Sequence, residues 1–397
     1  MVRNRLKAIP ANVWLLAASQ ALAMSAVPML ILVSSLLAAD LAPDESLVTL
    51  PVALVVVGTA SATIPVAMVM KRLGRKLGGY VGFCFAFGCC ALGYQAAMSS
   101  DFYLLLAACF CMGISTAFGQ QFRFAALESV KDPANYGPAL SAFMTGGLVS
   151  AYLGPEIGAL GKDLIESEHG FAGSFVLLGC VVALAVVVFS FFKPASPVKL
   201  ESETSARPLR EIVFSSGFLL AMGAAALSYA VMSFIMTATP ITMHEVCGFS
   251  LGDTKRVIQS HIIAMFLPSL FVGWLLKRIG PAKLIIAGAA AYALVSLVAT
   301  RGQEFVHFWW ALVLLGVGWN FLFASGTALL PRAYEGDERF KAQAANDFTV
   351  FGCQAIAALS AGWFLYRFGW NVLIATCVPL TVLAGAVGFL QLRKDRK

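Results

Sequence analysis

The chain has 397 residues, of which 59% are hydrophobic and only 12% are charged. Soluble domains carry roughly 25% charged residues, so this composition excludes a soluble globular fold, which would expose much of its apolar surface to water. The mean hydropathy of +0.81 and the repeated apolar runs, each near the length of about 20 residues that spans a bilayer, indicate a polytopic membrane protein.

Apolar runs separated by charged or glycine- and proline-rich breaks predict twelve transmembrane helices. The first run follows Arg3, Arg5 and Lys7. It is too long for the hydrophobic region of a signal peptide, so we interpret it as an uncleaved span. In chain order the predicted spans are residues 11–37, 47–70, 80–99, 102–127, 139–161, 172–192, 212–241, 253–276, 283–300, 306–330, 343–366 and 369–391.

The distribution of basic residues predicts the orientation of these helices. Most of the 28 lysines and arginines fall in loops on the side that holds both chain termini. Cytoplasmic loops of membrane proteins carry an excess of Lys and Arg. We therefore expect both termini to be cytoplasmic, in a bacterial inner membrane. The net charge of +7 is explained by this topology, and we do not expect nucleic acid to be a partner.

A basic stretch occurs twice in the chain. VMKRLGRKLGGYVG at 69–82 is similar to LLKRIGPAKLIIAG at 275–288. Such internal repeats are typical of transporters built from two related halves. We predict an N-terminal six-helix half at 1–192, a cytoplasmic linker at 193–211 and a C-terminal six-helix half at 212–397. The identical residues recur at one constant offset, as Lys71 and Lys277, Arg72 and Arg278, Gly74 and Gly280, and Gly82 and Gly288.

The two basic stretches, one after the second span and one after the eighth, resemble those of the major facilitator transporters. The resemblance implies an all-α membrane protein with twelve transmembrane helices in two pseudo-symmetric six-helix halves, working as a monomer by alternating access in the lipid bilayer. Lys71 and Lys277 stand where that family has an aspartate. No P-loop motif is present, so neither ATP hydrolysis nor another enzymatic activity is predicted.

Charged groups inside spans are energetically expensive, so each is a candidate for function. Arg123, Glu156 and Asp347 lie in predicted spans and are candidates for coupling or gating. The alternative for Arg123, and for Glu128 beside it near the inner surface, is polar pairing between helices.

Spans seven and eight carry sulfur and imidazole groups at helical spacing. Met232 and Met236 are four residues apart, as are His261 and Met265, so each pair shares a helix face. A rise of about 1.5 Å per residue puts Met236 about 7 Å and Met232 about 14 Å below the outer end of span seven. By the same measure His261 lies about 12 Å and Met265 about 18 Å below the outer end of span eight, so the two pairs lie at similar depths. Neutral soft ligands favour Cu(I). Neither span has a carboxylate apart from Asp253 at the outer end of span eight, which argues against a hard divalent ion.

The loop between these two spans reads ITMHEVCGF, and we expect Met243, His244 and Cys247 to present sulfur and nitrogen to the periplasm above Met236. Each feature also has a structural alternative. A methionine pair at this spacing is more often core packing. A lone membrane histidine is more often a hydrogen-bonded helix contact or part of a proton relay.

MSFIM at 232–236 and HIIAM at 261–265 resemble the paired motifs of the CcoA-like copper importers, a bacterial branch of the major facilitators. The resemblance implies that Met232, Met236, His261 and Met265 handle copper, with Cys247 as a further ligand. Copper would then be the imported substrate rather than a cofactor, supplied for assembly of cbb3-type cytochrome c oxidase, with periplasmic or cytoplasmic copper chaperones as partners. Two alternatives remain open: a proton-coupled carrier or exporter of a small organic solute, and an assembly factor that holds copper without moving it.

Overall fold

A computed structural model of the chain describes residues 9–44, 47, 50–130, 132, 135–194 and 207–396, and all regular elements in those ranges are helical. Two segments used in the sequence analysis lie outside the described residues. They are the basic residues near the amino terminus, Arg3, Arg5 and Lys7, and positions 195–206 of the predicted linker. The α-helices are α1 (Ala11–Met24), α2 (Ala26–Leu41), α3 (Leu50–Ser99), α4 (Phe102–Gln120), α5 (Phe122–Glu128), α6 (Tyr136–Met144), α7 (Gly146–Gly161), α8 (Ala172–Ser190), α9 (Leu209–Val213), α10 (Ser216–Ile241), α11 (Leu251–Phe266), α12 (Ser269–Ala299), α13 (Phe305–Leu329) and α14 (Arg339–Asp395). A π-helical turn, Thr242–Val246, follows α10, and 3-10 turns occupy Leu330–Arg332 and Gly336–Glu338.

Three of these helices bend sharply at one glycine with positive φ, so that α3 and α14 each contain two spans, while α12 contains the second part of one span and the whole of the next. The glycines are Gly74 in α3 (φ 78°), Gly280 in α12 (φ 82°) and Gly369 in α14 (φ 78°). Four other spans are built from two consecutive helices, namely α1 with α2, α4 with α5, α6 with α7, and α11 with the start of α12. Counted in this way, the described part of the chain contains the twelve predicted spans. Eight of its helical segments are long and apolar enough by themselves to cross a membrane.

Gly74 and Gly280 occupy equivalent positions in the repeated basic stretch and have nearly the same backbone angles, with ψ 171° and 161°. A Cβ atom at either position would meet nothing within 4 Å. Glycine is therefore required there by the backbone conformation and not by packing, since L residues with side chains disfavour positive φ. The break predicted between residues 70 and 80 falls at Gly74, and the helical residues on both sides extend closer to it than predicted.

The chain divides into two compact units. The first unit comprises Met1–Asn135 and Ala142–Val198, and the second comprises Tyr136–Ser141 and Lys199–Lys397. The predicted halves, 1–192 and 212–397, stay a prediction. Within the first unit α3 packs against α4 and α8. Within the second unit both α10 and α11 pack against α13, and α10 also packs against α14.

An ion pair holds Arg207, the first described residue of the longer segment of the second unit. The Arg207 guanidinium donates from Nε to Glu338 Oε1 at 2.8 Å and from Nη2 to Oε2 at 2.7 Å, and the Arg207 backbone N–H donates to Oε1 at 3.0 Å. The backbone N–H of Glu335 also donates to Glu338 Oε2, at 3.0 Å. Hydrogen bonding by Arg207 lowers the pKa of Glu338 to about 2, because these bonds favour the charged carboxylate.

Candidate functional site

His261 lies in α11 and is fully buried against α13. Its Nδ1 is 2.8 Å from the carbonyl oxygen of Leu312. Because a carbonyl only accepts, Nδ1 carries the proton, and Nε2 of the neutral ring is a hydrogen-bond acceptor. That Nε2 atom is buried without a hydrogen-bond partner. The two helices touch at this level, since a Cβ atom at Gly316 would lie 2.7 Å from the His261 carbonyl oxygen.

The methionines that were predicted to share a copper site with His261 lie inside the second unit. Met232 and Met265 are buried, and Met236 is half-buried. Of their helices, α10 packs mainly against α14 and α11 mainly against α13, and the two have little contact with one another. Among the residues that the structure describes, no group of three or more His, Cys, Asp or Glu side chains is placed to hold a metal ion. The role of Met232, Met236, His261 and Met265 as copper ligands stays a prediction.

The segment after α10 differs from the predicted surface loop of soft ligands. The backbone continues from α10 as a π-helical turn, which directs Met243 inward. Its side chain is fully buried, so the expectation that it presents sulfur at the surface is wrong. Cys247 is half-buried, and its Sγ donates to Gln303 Oε1 at 3.5 Å. Partial burial raises the pKa of the Cys247 thiol. The side chain of His244 lies outside the described residues.

Both charged residues of α5, Arg123 and Glu128, have polar partners. Glu128 forms an ion pair with Arg75, with Nη2 to Oε1 at 2.6 Å and Nε to Oε2 at 3.1 Å. Arg75 also donates to Gln121 Oε1 at 2.8 Å. Arg123 is buried and donates to Gln120 Oε1 at 3.1 Å. The bonds of Arg75 join α3 to the segment from α4 to α5. The role of Arg123 in coupling or gating stays a prediction.

The other two predicted coupling residues lie in different surroundings. Glu156, in α7 of the first unit, is half-buried and follows Pro155 within the helix. Asp347, in α14 of the second unit, is fully buried and accepts a hydrogen bond from Asn346 Nδ2 at 2.9 Å. Both carboxyl groups thus lie within membrane-spanning helices, where an ionised group is costly.

The second unit also contains a group of aromatic side chains that the sequence analysis missed. We call Tyr229, Phe266, Trp319, Phe323 and Phe351 the aromatic cluster. Trp319 and Phe323 are one turn apart on α13 and stack with ring centroids 5.0 Å apart. The Tyr229 ring stands edge-on to Trp319, Phe323 and Phe351 at 5.3, 5.2 and 5.4 Å, and Phe266 stands edge-on to Trp319 at 5.7 Å. Four helices, α10, α11, α13 and α14, therefore contribute to it.

Two adjacent residues of α13 add polar atoms to the edge of this cluster. Trp319 Nε1 is buried without a hydrogen-bond partner. Asn320 Nδ2 donates to Met265 O at 2.7 Å and to Ser269 Oγ at 2.8 Å, while its Oδ1 is buried without a partner. An unsatisfied buried polar group costs about 1–3 kcal/mol. The stretch WNFLF at 319–323 is the sequence pattern that marks this site, since it places two aromatic rings and an amide within little more than one helical turn.

Twelve helical spans in two repeated halves, with polar and aromatic groups buried inside, define a multi-pass membrane transporter. The model of the Major Facilitator Superfamily matches residues 13–260 and 257–397. The chain therefore belongs to the Major Facilitator Superfamily, as the repeated basic stretch predicts.

Known relatives agree with this family. The chain is 35% identical over 392 residues to the riboflavin transporter RfnT of Brucella anthropi, covering 96% of both proteins. Crystal structures of the Escherichia coli fucose:proton symporter FucP and of a bacterial homologue of the iron transporter ferroportin share the fold, each at 15% identity and a TM-score of 0.72. Each match covers 96% of this chain, with 99% of the FucP chain and 98% of the ferroportin homologue. The resemblance to CcoA-like copper importers finds no support in these comparisons.

Proposed function

We propose that this chain is a secondary transporter of riboflavin or a closely related flavin. The observation that carries the proposal is the 35% identity to the riboflavin transporter RfnT, which extends over 96% of both chains. Such an extended match covers the helices of both halves, which together form the solute site in transporters of this architecture. The organic-solute alternative of the sequence analysis thereby becomes the leading hypothesis.

The chemistry of the second unit supports a solute of this kind. Riboflavin consists of a planar heteroaromatic ring system and a polyol chain. The aromatic cluster provides ring faces and edges, with which aromatic solutes interact favourably beyond the burial of their area. Binding sites for small organic molecules are mostly apolar and aromatic, with a few polar groups that orient the ligand. Trp319 and Asn320 are polar groups of this type.

Uptake of radiolabelled riboflavin tests the proposal. The chain would be expressed in a bacterial riboflavin auxotroph that has no uptake system of its own, with empty vector as the control. We expect saturable accumulation above the vector level, inhibited by excess unlabelled riboflavin, and growth at limiting riboflavin. The proposal would be refuted if the protein reaches the membrane and both the uptake and the efflux of labelled riboflavin equal those of the empty-vector cells.

We further propose that a proton gradient drives this transport through Glu156 or Asp347. Both carboxyl groups lie in membrane-spanning helices, and Asp347 is fully buried. A protonophore should then abolish accumulation by the wild-type protein. Glu156→Gln and Asp347→Asn would each be measured for accumulation and for exchange of internal against external riboflavin. Loss of accumulation with retained exchange identifies a coupling residue, whereas wild-type accumulation in both variants contradicts this assignment.

Copper import is the second candidate, and one observation favours it. Nε2 of His261 is a buried acceptor without a hydrogen-bond partner, as a free metal-ligating nitrogen would be. Radiocopper accumulation would be measured for the wild type, for Met232→Leu, His261→Leu and Met265→Leu, and for Met68→Leu, an exposed methionine of the first unit, as the matched control. Copper transport requires that the first three variants lose accumulation while Met68→Leu retains it. Copper binding without accumulation would indicate the assembly factor instead.

A further inference from the structure

Trp319 and Asn320 offer complementary hydrogen-bonding atoms at one place on α13. The indole Nε1 is a donor only. The orientation of the Asn320 amide is determined by its neighbours, because Met265 O can only accept and must therefore face Nδ2. The free atom of Asn320 is thus Oδ1, an acceptor. One free donor and one free acceptor stand on consecutive residues, both inside the membrane-spanning part of the second unit.

Both residues border the same stretch of α11 and the start of α12. Trp319 contacts the Phe266 ring at a centroid distance of 5.7 Å, and Asn320 bonds to Met265 and Ser269 on either side of Phe266. Trp319 is 2% exposed and Asn320 is fully buried, whereas Phe266 is half-buried. Phe266 is therefore the most exposed member of the cluster and contacts Trp319 directly.

We propose that Trp319 and Asn320 recognise the edge of a planar heteroaromatic solute in which a ring carbonyl stands next to a ring N–H. In this arrangement Trp319 Nε1 donates to the carbonyl and Asn320 Oδ1 accepts from the N–H, while the solute ring packs on the aromatic cluster after Phe266 moves aside. The imide edge of the flavin ring has this pattern. The inference deepens the proposed function and rests on it, because it names the residues that would select a flavin.

The physical reason for selectivity is the cost of leaving these atoms unpaired. Water does not replace a lost hydrogen-bond partner inside the bilayer. A solute that bonds to both atoms therefore gains binding free energy that an apolar solute of the same size does not. A site that is built to hydrogen-bond a ring N–H discriminates strongly against an analogue that lacks it. The aromatic faces contribute affinity to many flat solutes, and the donor and acceptor determine which of them is preferred.

Equilibrium binding of radiolabelled riboflavin to the purified full-length protein in lipid nanodiscs tests the site. Trp319→Phe retains an aromatic ring, removes the Nε1 donor and reduces the side chain from two fused rings to one. The matched control is Trp363→Phe, the same change at a tryptophan that is 61% exposed. We expect about tenfold weaker binding by Trp319→Phe, the effect of one hydrogen bond of about 1.4 kcal/mol, and binding within twofold of wild type by Trp363→Phe.

A second measurement changes the ligand and leaves the protein intact. Methylation of the imide nitrogen of riboflavin removes the N–H that Asn320 Oδ1 would accept, and 3-methylriboflavin should bind the wild-type protein about tenfold more weakly than riboflavin. This comparison decides the matter if Trp319→Phe does not fold. Wild-type protein that binds no riboflavin would overturn the proposed function. Equal binding of both ligands, or wild-type binding by a folded Trp319→Phe, would overturn only the assignment of the site.

Discussion

Replacing Glu128 by leucine should destabilise the first unit more than replacing its ion-pair partner Arg75 by methionine. The Arg75 side chain is 6% exposed and that of Glu128 is 24% exposed. Loss of one partner from a fully buried pair costs about 3–5 kcal/mol, and partial access of water to Glu128 reduces our estimate for Glu128→Leu to about 2–3 kcal/mol. Arg75→Met leaves a carboxylate that water reaches, so we expect it to lower the free energy of unfolding by about 1–2 kcal/mol.

Thermal unfolding of the purified variants in detergent measures this difference. For a unit of this size about 2–4 °C of Tm corresponds to 1 kcal/mol, so Glu128→Leu should lower Tm by about 5–10 °C. The double variant should be more stable than Glu128→Leu alone, because both charges leave together. Arg72→Met, an exposed neighbour in the same basic stretch, is the control and should change stability by less than about 0.5 kcal/mol. If the double variant loses the sum of the two single losses, the ion pair is not coupled and the reasoning is refuted.

Three further outcomes are expected. The free energy of unfolding of the wild type should exceed that of Glu338→Gln by its full amount above the ordinary pKa of 4.5, and the difference should disappear as the pH falls towards about 2. The reason is that protonation of Glu338 ends its pairing with Arg207. A difference that is unchanged at pH 3 would contradict this. Gly280→Ala should cost about 1–2 kcal/mol through its positive φ, whereas Gly362→Ala, at an open helical position, should be neutral or stabilising, and equal Tm values for the two variants would remove the conformational argument. In intact cells a membrane-impermeant maleimide should label Cys247 but not a Cys247→Ser variant, slowly at neutral pH and faster as the pH rises because the thiol pKa is raised; labelling only after membrane disruption would reverse the proposed orientation.

Much of the fold follows from local properties of the sequence. Apolar run length determines how many times the chain crosses the bilayer, since each span must satisfy its backbone hydrogen bonds within a helix. The recurrence of Gly74 at Gly280 predicts the repeat, and the two glycines have the same unusual backbone conformation. Local patterns are weaker at boundaries, so the sequence predicts a break over residues 71–79 where the structure confines it to Gly74.

The site was less predictable, because spacing along a helix identifies a shared face but not the helix which that face meets. His261 and Met265 share a face of α11, as expected, yet the hydrogen bond of His261 goes to α13. In the same way, the spacing of Trp319 and Phe323 was visible in the sequence. Their partner Tyr229 comes from another helix, and only tertiary packing brings it to them.

The contact between Arg207 and Glu338 has a practical consequence for dividing the polypeptide. Both the backbone N–H and the guanidinium of Arg207 bind Glu338. The start of the longer segment of the second unit is therefore anchored by bonds that do not depend on the peptide before it. Two gene fragments, one ending at residue 194 and the other starting at residue 207, would each encode six spans, and the second product would retain its own anchor. Separate reporters on co-expressed fragments would then follow each half independently.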